Sequence, residues 1–356
     1  MSKESICLKV HKRSGQEALI LANTLGLTDK TLLIHSNTDS LFIPLVREPN
    51  EREFATLREQ LREFDVGSGL FSEKKGQEKT IRQLLHGVLA PHLLACLPKA
   101  LDMVGDIAII EIPPELDAYK TMVGEGVLKT HRNVRVVLAK AGKVSGIYRL
   151  REFELIAGEN RTATLYKENG CSYYVDVAKT YFSPRLSHEH ERVSSLVNDG
   201  EVVVDLFAGV GPFAVPIAKR NRNVQVYAID INAAAVDLLK RNTRLNRVDN
   251  RVYSIEGDAR QVVDEKLANK ADRVIMNLPE TAIEFVDVAC KATRSSGGTL
   301  HFYGFIRAPD TVEGVKRSFS KAVETAGRNV NAFEYSKLVR ETAPYEWQVV
   351  LDAKIR

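Results

Sequence analysis

The chain has 356 residues, which is more than one ordinary domain needs and predicts two or three domains. With 44% hydrophobic and 27% charged residues it has the balance of a soluble globular protein, and it shows neither a membrane-span-length apolar run nor a signal peptide. The net charge is +4, and residues 129–192 hold twelve Lys/Arg against seven Asp/Glu, a local charge of +5. A basic segment of this kind fits either a polyanion such as RNA or a merely solvated face.

The positions of the four cysteines argue against two kinds of stabilising site. Cys7, Cys96, Cys171 and Cys290 lie far apart in the chain and form no CxxC pair. This spacing disfavours a zinc ribbon and a disulfide framework, and it predicts a reducing, cytoplasmic location.

The first 72 residues predict a small α+β domain without a catalytic signature. Gly26 is placed to end a helix, and the polar, glycine-bearing stretch 67–76 predicts a linker to the next domain. The expected elements are a strand at 6–10, a helix at 16–25 and strands at 32–35 and 40–45.

Residues 73–178 predict a second α+β domain. Its apolar strand at 107–112 is stopped by Pro113 and Pro114, and a helix separates it from a strand at 134–139. Two further strands are expected on either side of a turn at 168–170.

From residue 179 the pattern becomes a strand–helix alternation, which predicts an α/β domain with a doubly wound, mostly parallel sheet. Asn232 is placed to cap a helix at 233–242, and residues 332–339 and 347–355 predict a closing antiparallel pair. The parallel strands are expected at 201–206, 224–229, 252–255, 273–276 and 299–305.

A glycine turn follows the first of these strands. Gly209 and Gly211 allow a ligand to approach the backbone at the carboxyl edge of the sheet, although NAD enzymes and ordinary turns also contain a GxG. The third glycine of the dinucleotide pattern is absent, with Phe213 in its region. Asp205, just before the turn, would repel a pyrophosphate but suits a cationic sulfonium or amino group. These details favour S-adenosylmethionine.

Two more acids follow strands of the same predicted sheet. Asp230 ends the second strand, where it can accept from ribose hydroxyls, and Asp258 follows the third, where it can bind an adenine amino group. Either acid alone could equally be a helix cap or a solvated loop residue. Together with Asp205 they favour a cofactor pocket.

The fourth strand leads into Asn277, Leu278 and Pro279. This loop resembles the N/D-P-P-[YF] loop of methyltransferases that act on planar nitrogen, in which the Asn hydrogen-bonds the target base. A simple proline turn is the alternative. Since no aromatic residue follows here, the base must be stacked by a residue from outside the loop.

The distinctive motifs lie in the basic region, at 148–154, 157–162, 167–170 and 179–189. Together with 205–213 and 277–279 they resemble the archaeal and eukaryotic tRNA (guanine-37-N1)-methyltransferase family over essentially the whole chain. The resemblance implies a Rossmann-like class I methyltransferase domain at 179–356, a middle RNA-binding domain at 73–178 and an N-terminal domain at 1–72 that contacts the tRNA elbow. It also implies S-adenosyl-L-methionine as cofactor and tRNA as partner, without DNA or membrane, and we expect a monomer.

The resemblance also assigns site residues. For catalysis and the target base it implies Glu189, Arg149, Tyr181, Asn277 and Pro279. For the cofactor it implies Asp205, Phe207, Gly209, Gly211, Asp230, Asp258 and Asn277.

The chemistry of guanine fits these roles. N1 carries a proton at neutral pH, so a carboxylate such as Glu189 can act as general base, while Arg149 stabilises the charge that develops on O6. Tyr181 can stack on or orient the base. The family often has an arginine where this chain has His190, which keeps Glu191 open as an alternative base. His188 and His190 are spaced to point apart on a helix, which disfavours a metal site.

Two other functions stay open. One is a related enzyme of the wyosine pathway, which methylates carbon or transfers the aminocarboxypropyl group of the same cofactor. The other is a catalytically silent RNA-binding protein. The intact Asn277–Pro279 loop favours N1 methylation, because family members with other chemistry tend to lose the Asn, and the full set of pocket acids and glycines argues against a silent protein.

Overall fold

The computed structural model describes residues 2–61, 63–73, 80–142, 146 and 148–356. The chain divides into two compact units, with the division between Gln83 and Leu84. The predicted borders at residues 72 and 178 stay predictions. Two short helices, α3 (Ile81–Leu85) and α4 (Pro91–Ala95), lie near the division. Within the described residues, no helix is both long and apolar enough to cross a membrane.

The first unit is an antiparallel sheet of order β2-β3-β1-β4 with two helices. Its core joins apolar residues of the strands, such as Leu8 and Ile43, to Ala18 and Leu57 from the helices. The strand predicted at 6–10, the helix at 16–25 and the strand at 40–45 are confirmed. Of the strand predicted at 32–35, only residue 35 lies in a strand. The elements are β1 (Ser2–His11), α1 (Gly15–Thr24), β2 (His35–Ser36), β3 (Ser40–Pro44), α2 (Glu51–Gln60) and β4 (Phe64–Ser72).

The prediction of a linker at 67–76 is wrong for residues 67–72. Residues 67–72 belong to β4, which pairs with β1 in a continuous register from Val10–Phe64 to Ser2–Ser72. Residues 74–79 lie outside the described part of the chain. The glycines are poor strand formers, but the nine-residue ladder and the burial of Phe71 outweigh their propensity.

The second unit begins with a four-stranded sheet of order β5-β6-β7-β8, followed by a β-hairpin of β9 and β10. β6 and β7 are parallel and are connected through α5, as the predicted strand–helix–strand pattern requires. The hairpin turn lies at Asn169 and Gly170, where it was expected. The elements are β5 (Asp102–Val104), β6 (Ile107–Ile110), α5 (Lys120–Thr130), β7 (Val136–Lys140), β8 (Phe153–Gly158), β9 (Ala163–Glu168) and β10 (Cys171–Asp176).

A seven-stranded sheet of order β13-β12-β11-β14-β15-β17-β16 forms the rest of the unit. Its first five strands are parallel, and β17 pairs antiparallel with both β15 and β16, so the predicted α/β fold with a mostly parallel, Rossmann-like sheet is confirmed. The elements are α6 (Ser187–Leu196), β11 (Val202–Asp205), α7 (Ala214–Arg220), β12 (Gln225–Asp230), α8 (Ala233–Leu245), β13 (Val252–Glu256), α9 (Ala259–Val262), β14 (Arg273–Met276), α10 (Val286–Ala292), β15 (Gly298–Arg307), α11 (Val312–Thr325), β16 (Val330–Ala343) and β17 (Glu346–Ile355).

Both faces of this sheet are covered by apolar side chains. Val203 belongs to one buried cluster and Val204 to another, because successive residues of a strand point to opposite faces. The first cluster also contains Ile107 and Leu138 of the four-stranded sheet and Tyr173 of the hairpin. The smaller sheet and the hairpin therefore share a core with the seven-stranded sheet.

Two asparagines four residues apart, Asn242 in α8 and Asn246 at its C-cap, bind the edge of β10. Asn242 accepts a hydrogen bond from Tyr174 N at 2.7 Å, and its Nδ2 donates to the carbonyls of Tyr174 at 3.1 Å and Val210 at 2.9 Å. Asn246 repeats the arrangement one turn later with the backbone of Ser172. The pair replaces a neighbouring strand and satisfies backbone groups that would otherwise be buried without partners.

We predict that Asn242→Ala destabilises the second unit strongly. Asn242 is fully buried, and its loss leaves three backbone groups unsatisfied, which costs about 3 kcal/mol or more. Thermal and urea unfolding measure the loss. Asn250→Ala, the same change at an exposed residue, is the matched control. Equal unfolding midpoints for the two variants would show that the hydrogen bonds of Asn242 contribute nothing.

Candidate functional site

The turn after β11 exposes backbone at the carboxyl edge of the seven-stranded sheet. Gly209 and Gly211 have φ angles of 53° and 94°, which side chains with a Cβ rarely adopt. A Cβ at Gly211 would also lie 2.5 Å from Leu239 Cδ1. Glycine is therefore required at Gly211 both by its backbone conformation and by the close packing of α8.

Asp230, the last residue of β12, holds this turn in place. Its Oδ2 accepts a hydrogen bond from Gly209 N at 2.7 Å and its Oδ1 accepts one from Asn232 N at 2.9 Å. Burial raises the pKa of Asp230, while these backbone hydrogen bonds act in the opposite direction. The carboxylate thus joins the loops after two adjacent strands and still lines the cavity described below.

Asp205 lies deeper, at the end of β11. Burial raises its pKa to about 7, the backbone hydrogen bond from Phe207 lowers it, and the neighbouring Asp230 adds to the rise. Its Oδ2 is buried and has no hydrogen-bond partner among the described residues. A buried carboxylate oxygen without a partner favours either a proton or a cationic ligand nearby.

A cavity of about 200 Å³ opens at this edge of the sheet. It brings together eight of the predicted site residues: Arg149, Tyr181, Phe207, Gly209, Asp230, Asp258, Asn277 and Pro279. Asp205, Gly211 and Glu189 are not part of its lining. Residues separated by more than one hundred positions in the chain therefore meet around one space.

The basic region supplies one wall of the cavity. Arg149 has a φ of 54° and a largely buried side chain, and its guanidinium lies 5.5 Å from the ring centroid of Tyr181. Its Nη1 lies 2.7 Å from Glu280 Oε2, an ion pair that does not have hydrogen-bond geometry. The guanidinium is thus held over an aromatic ring with hydrogen-bond donors still available.

The loop after β14 forms the facing wall. Asn277 Oδ1 is buried and has no hydrogen-bond partner among the described residues, and Pro279 lines the cavity beside it. An unsatisfied amide oxygen of this kind costs free energy unless a ligand donates to it.

Asp258 is a helix cap that also faces the cavity. Its side chain accepts a hydrogen bond from Arg260 N at 2.8 Å and so caps α9, and it also lines the cavity. Further residues of the lining were not predicted. Among them, Ile231 follows Asp230 directly and is an exposed apolar residue in the structure, which the sequence alone does not reveal. These residues are Tyr148, Leu206, Ile231, Asn232, Ala235, Gly257, Ala259, Leu278 and Phe285.

Glu189 lies on α6 in a buried polar network. Its Oε2 accepts hydrogen bonds from the hydroxyl of Tyr303 at 2.9 Å and from Arg192 Nε at 3.0 Å. Arg192 also binds Asp352, which pairs with His301 at 2.8 Å. Burial raises the pKa of Asp352, but the contacts with His301 and Arg192 outweigh it and lower the pKa to about 2.

The residues beside Glu189 have different surroundings. Glu191 is half exposed and pairs with Arg220 at 2.9 Å. His188 is 84% exposed, whereas His190 is buried and lies 2.7 Å from Glu168. Among the described residues, no group of three or more His, Cys, Asp or Glu side chains is arranged to hold a metal ion.

Comparison with known proteins gives consistent matches. Residues 164–331 match the TRM5/TYW2 methyltransferase domain, and residues 81–162 match the TYW2 N-terminal domain. The tRNA (guanine(37)-N(1))-methyltransferase Trm5b of Pyrococcus abyssi is 35% identical over 358 residues, which cover 99% of both chains.

Two solved structures extend the comparison. The complex of aTrm5 and tRNALeu is 33% identical, covers 99% of this chain and 100% of its own, and has a TM-score of 0.70. M. jannaschii TYW2 in complex with AdoMet is 28% identical, covers 72% of this chain and 99% of its own, and has a TM-score of 0.56. Since a relative more than 30% identical extends over nearly the whole length of both chains, this protein belongs to the TRM5/TYW2 methyltransferase family.

Proposed function

We propose that this protein transfers the methyl group of S-adenosyl-L-methionine to N1 of guanosine 37, next to the anticodon of tRNA. The observation that carries the proposal is the shared cavity. Acidic residues at the ends of β12 and β13 line it together with Arg149, Tyr181 and Asn277. It therefore combines groups for a nucleoside cofactor with groups for a planar base.

The residues at the sheet edge fit the cofactor. We assign ribose binding to Asp230, the adenine amino group to Asp258 and backbone contacts to Gly209, since all three line the cavity. Burial raises the pKa of Asp205 and of Asp230, and a cationic ligand beside them would stabilise their ionised forms. Bound there, the cofactor supplies an electrophilic methyl group on sulfur, and the transfer needs no metal.

The opposite wall fits guanine. We assign Tyr181 to stacking on the base and Arg149 to O6, where the guanidinium stabilises the charge that develops as N1 loses its proton. The unsatisfied Asn277 Oδ1 is an acceptor for an N–H of the base edge, and Pro279 shapes the same wall. Alignment of N1 with the methyl group is then the main contribution of the site.

We assign the general base to Glu189. Its carboxylate lies on the helix that follows Tyr181, and its contacts with Arg192 and Tyr303 fix its position in a buried setting. The proposal requires a bound base to come within hydrogen-bond distance, and such contacts often tighten only in the substrate complex. Glu191 is the weaker candidate because it is half exposed and paired with Arg220.

The remaining assignments follow the family resemblance. We propose that residues 1–72 recognise the tRNA elbow, that residues 73–178 bind RNA and that residues 179–356 catalyse the transfer. The four cysteines are free, which fits the cytoplasmic location that we propose, and we propose that the protein acts as a monomer.

Nucleoside mass spectrometry of a tRNA transcript incubated with the protein and S-adenosylmethionine tests the function. We expect 1-methylguanosine when position 37 is guanosine and no product when it is adenosine. Transfer to tRNA that carries a wyosine precursor, but not to guanosine 37, would identify the related enzyme of the wyosine pathway. Absence of transfer to both kinds of tRNA would identify a silent RNA-binding protein.

We predict that Asp230→Asn weakens cofactor binding by about tenfold or more, because the amide replaces an ionised acceptor facing ribose hydroxyls. Titration calorimetry with S-adenosylmethionine measures the change. Asp237→Asn, at an exposed residue of α8, is the matched control. An unchanged affinity in folded Asp230→Asn would remove Asp230 from the cofactor site.

We predict that Glu189→Gln lowers the single-turnover rate of methyl transfer by roughly 10² to 10⁴, because it keeps the shape of the side chain and removes the base. Cofactor affinity should stay constant, since the loss lies in the transition state. Higher pH should restore part of the rate as solvent deprotonates N1. Glu191→Gln is the control, and a slow Glu191→Gln beside a normal Glu189→Gln would reverse the assignment.

A further inference from the structure

A second cavity, of about 260 Å³, adjoins the first one. Both cavities are lined by Arg149 and Tyr181, so the two spaces meet at these side chains. The second cavity lies between the four-stranded sheet, the segment before α6 and strands β15 and β16. The charged residues that line it are Asp102, Lys140, Arg149, Arg151, Arg185 and Arg340.

These residues carry five positive charges and one negative charge. Asp102 pairs with Arg185 at 2.5 Å and lies 3.8 Å from Lys140 Nζ. Lys140 Nζ also lies 3.5 Å from Glu111 Oε2, and Arg149 pairs with Glu280. The cavity therefore keeps an excess of positive charge after its ion pairs are counted, and a ligand with an anionic group would balance it.

Two of the arginines lack a counter-charge. Arg340 donates from Nε to the neutral Gln348 Oε1 at 3.1 Å, and no carboxylate pairs with it in the described part of the chain. Arg151 forms neither an ion pair nor a hydrogen bond with any described residue. Both side chains are half-buried, so each has given up part of its hydration without gaining an anion.

The planar guanidinium groups of Arg151 and Arg340 favour a particular kind of anion. A guanidinium fork matches the two non-bridging oxygens of a phosphodiester, and nucleic-acid chains present such a group at every nucleotide. We propose that the second cavity binds the phosphodiester linking the methylated nucleotide to its neighbour in the RNA, with Arg151 and Arg340 as its ligands. This inference rests on the proposed function, and it assigns a binding subsite that adjoins the base cavity.

The first test compares Arg151→Gln and Arg340→Gln with wild type in tRNA binding at several salt concentrations. Loss of a charged phosphate contact should weaken binding about tenfold and reduce the slope of log Kd against log salt by about 0.7. Cofactor affinity should not change. Arg317→Gln, on the exposed surface of α11, is the matched control. Because the variants remove different side chains, a folding failure in one leaves the other as the test.

The second test replaces single phosphodiesters on either side of nucleotide 37 by uncharged methylphosphonates. One of these modified RNAs should bind wild type more weakly than unmodified RNA does. Arg151→Gln should bind the same modified RNA and unmodified RNA equally well, which is the coupling expected of a direct contact. The inference would be overturned if Arg151→Gln and Arg340→Gln had the same tRNA affinity and salt slope as Arg317→Gln. It would also be overturned if every methylphosphonate weakened binding equally in all variants, or if the variants lost cofactor affinity instead. Methylation of guanosine 37 by wild type is measured in the same reactions, so failure of the proposed function is seen separately.

Discussion

The carboxylate of Asp230 connects the parts of the site. Its oxygens accept hydrogen bonds from Gly209 N and Asn232 N, so the glycine turn and the start of α8 are fixed relative to each other. Asn232 in turn caps α8 and donates from Nδ2 to Lys179 O at 2.8 Å. Tyr181 follows two residues later. A short chain of hydrogen bonds therefore leads from the proposed ribose acceptor to the aromatic ring proposed to stack the base, and it sets their separation.

The wall proposed for guanine depends on packing rather than on the parallel sheet alone. Phe182, next to Tyr181, packs edge-on against Tyr166 of the hairpin at 5.0 Å, and Tyr173 of the hairpin belongs to the core of the seven-stranded sheet. The segment that carries Tyr181 is thus held between hairpin and sheet. The groups proposed for the base and those proposed for the cofactor line one cavity because the region before residue 179 shares a core with the sheet.

The sequence predicted the parts of the site that depend on local rules. In a parallel sheet, strand ends meet at one edge, so Asp230, Asp258 and Asn277 could be placed together without coordinates. The burial of Glu189 beside Tyr303, 114 residues away, follows from tertiary packing and has no local signal. α2 was missed although its capping box, Asn50 with Glu53, was readable in the sequence. The glycines of β4 led to the wrong prediction of a linker, because pairing with β1 outweighed their low propensity for strands.

The buried carboxylates of the second unit differ in whether the protein itself supplies a counter-ion. Around Asp352 the protein supplies its own cations, and the contacts with His301 and Arg192 lower its pKa to about 2 despite burial. Asp205 and Asp230 form no ion pair with any described residue, and burial raises the pKa of both. In the complex proposed above, a positively charged cofactor at that edge would replace the missing counter-ion, so its affinity and the cost of burying these acids would be two aspects of the same electrostatic balance.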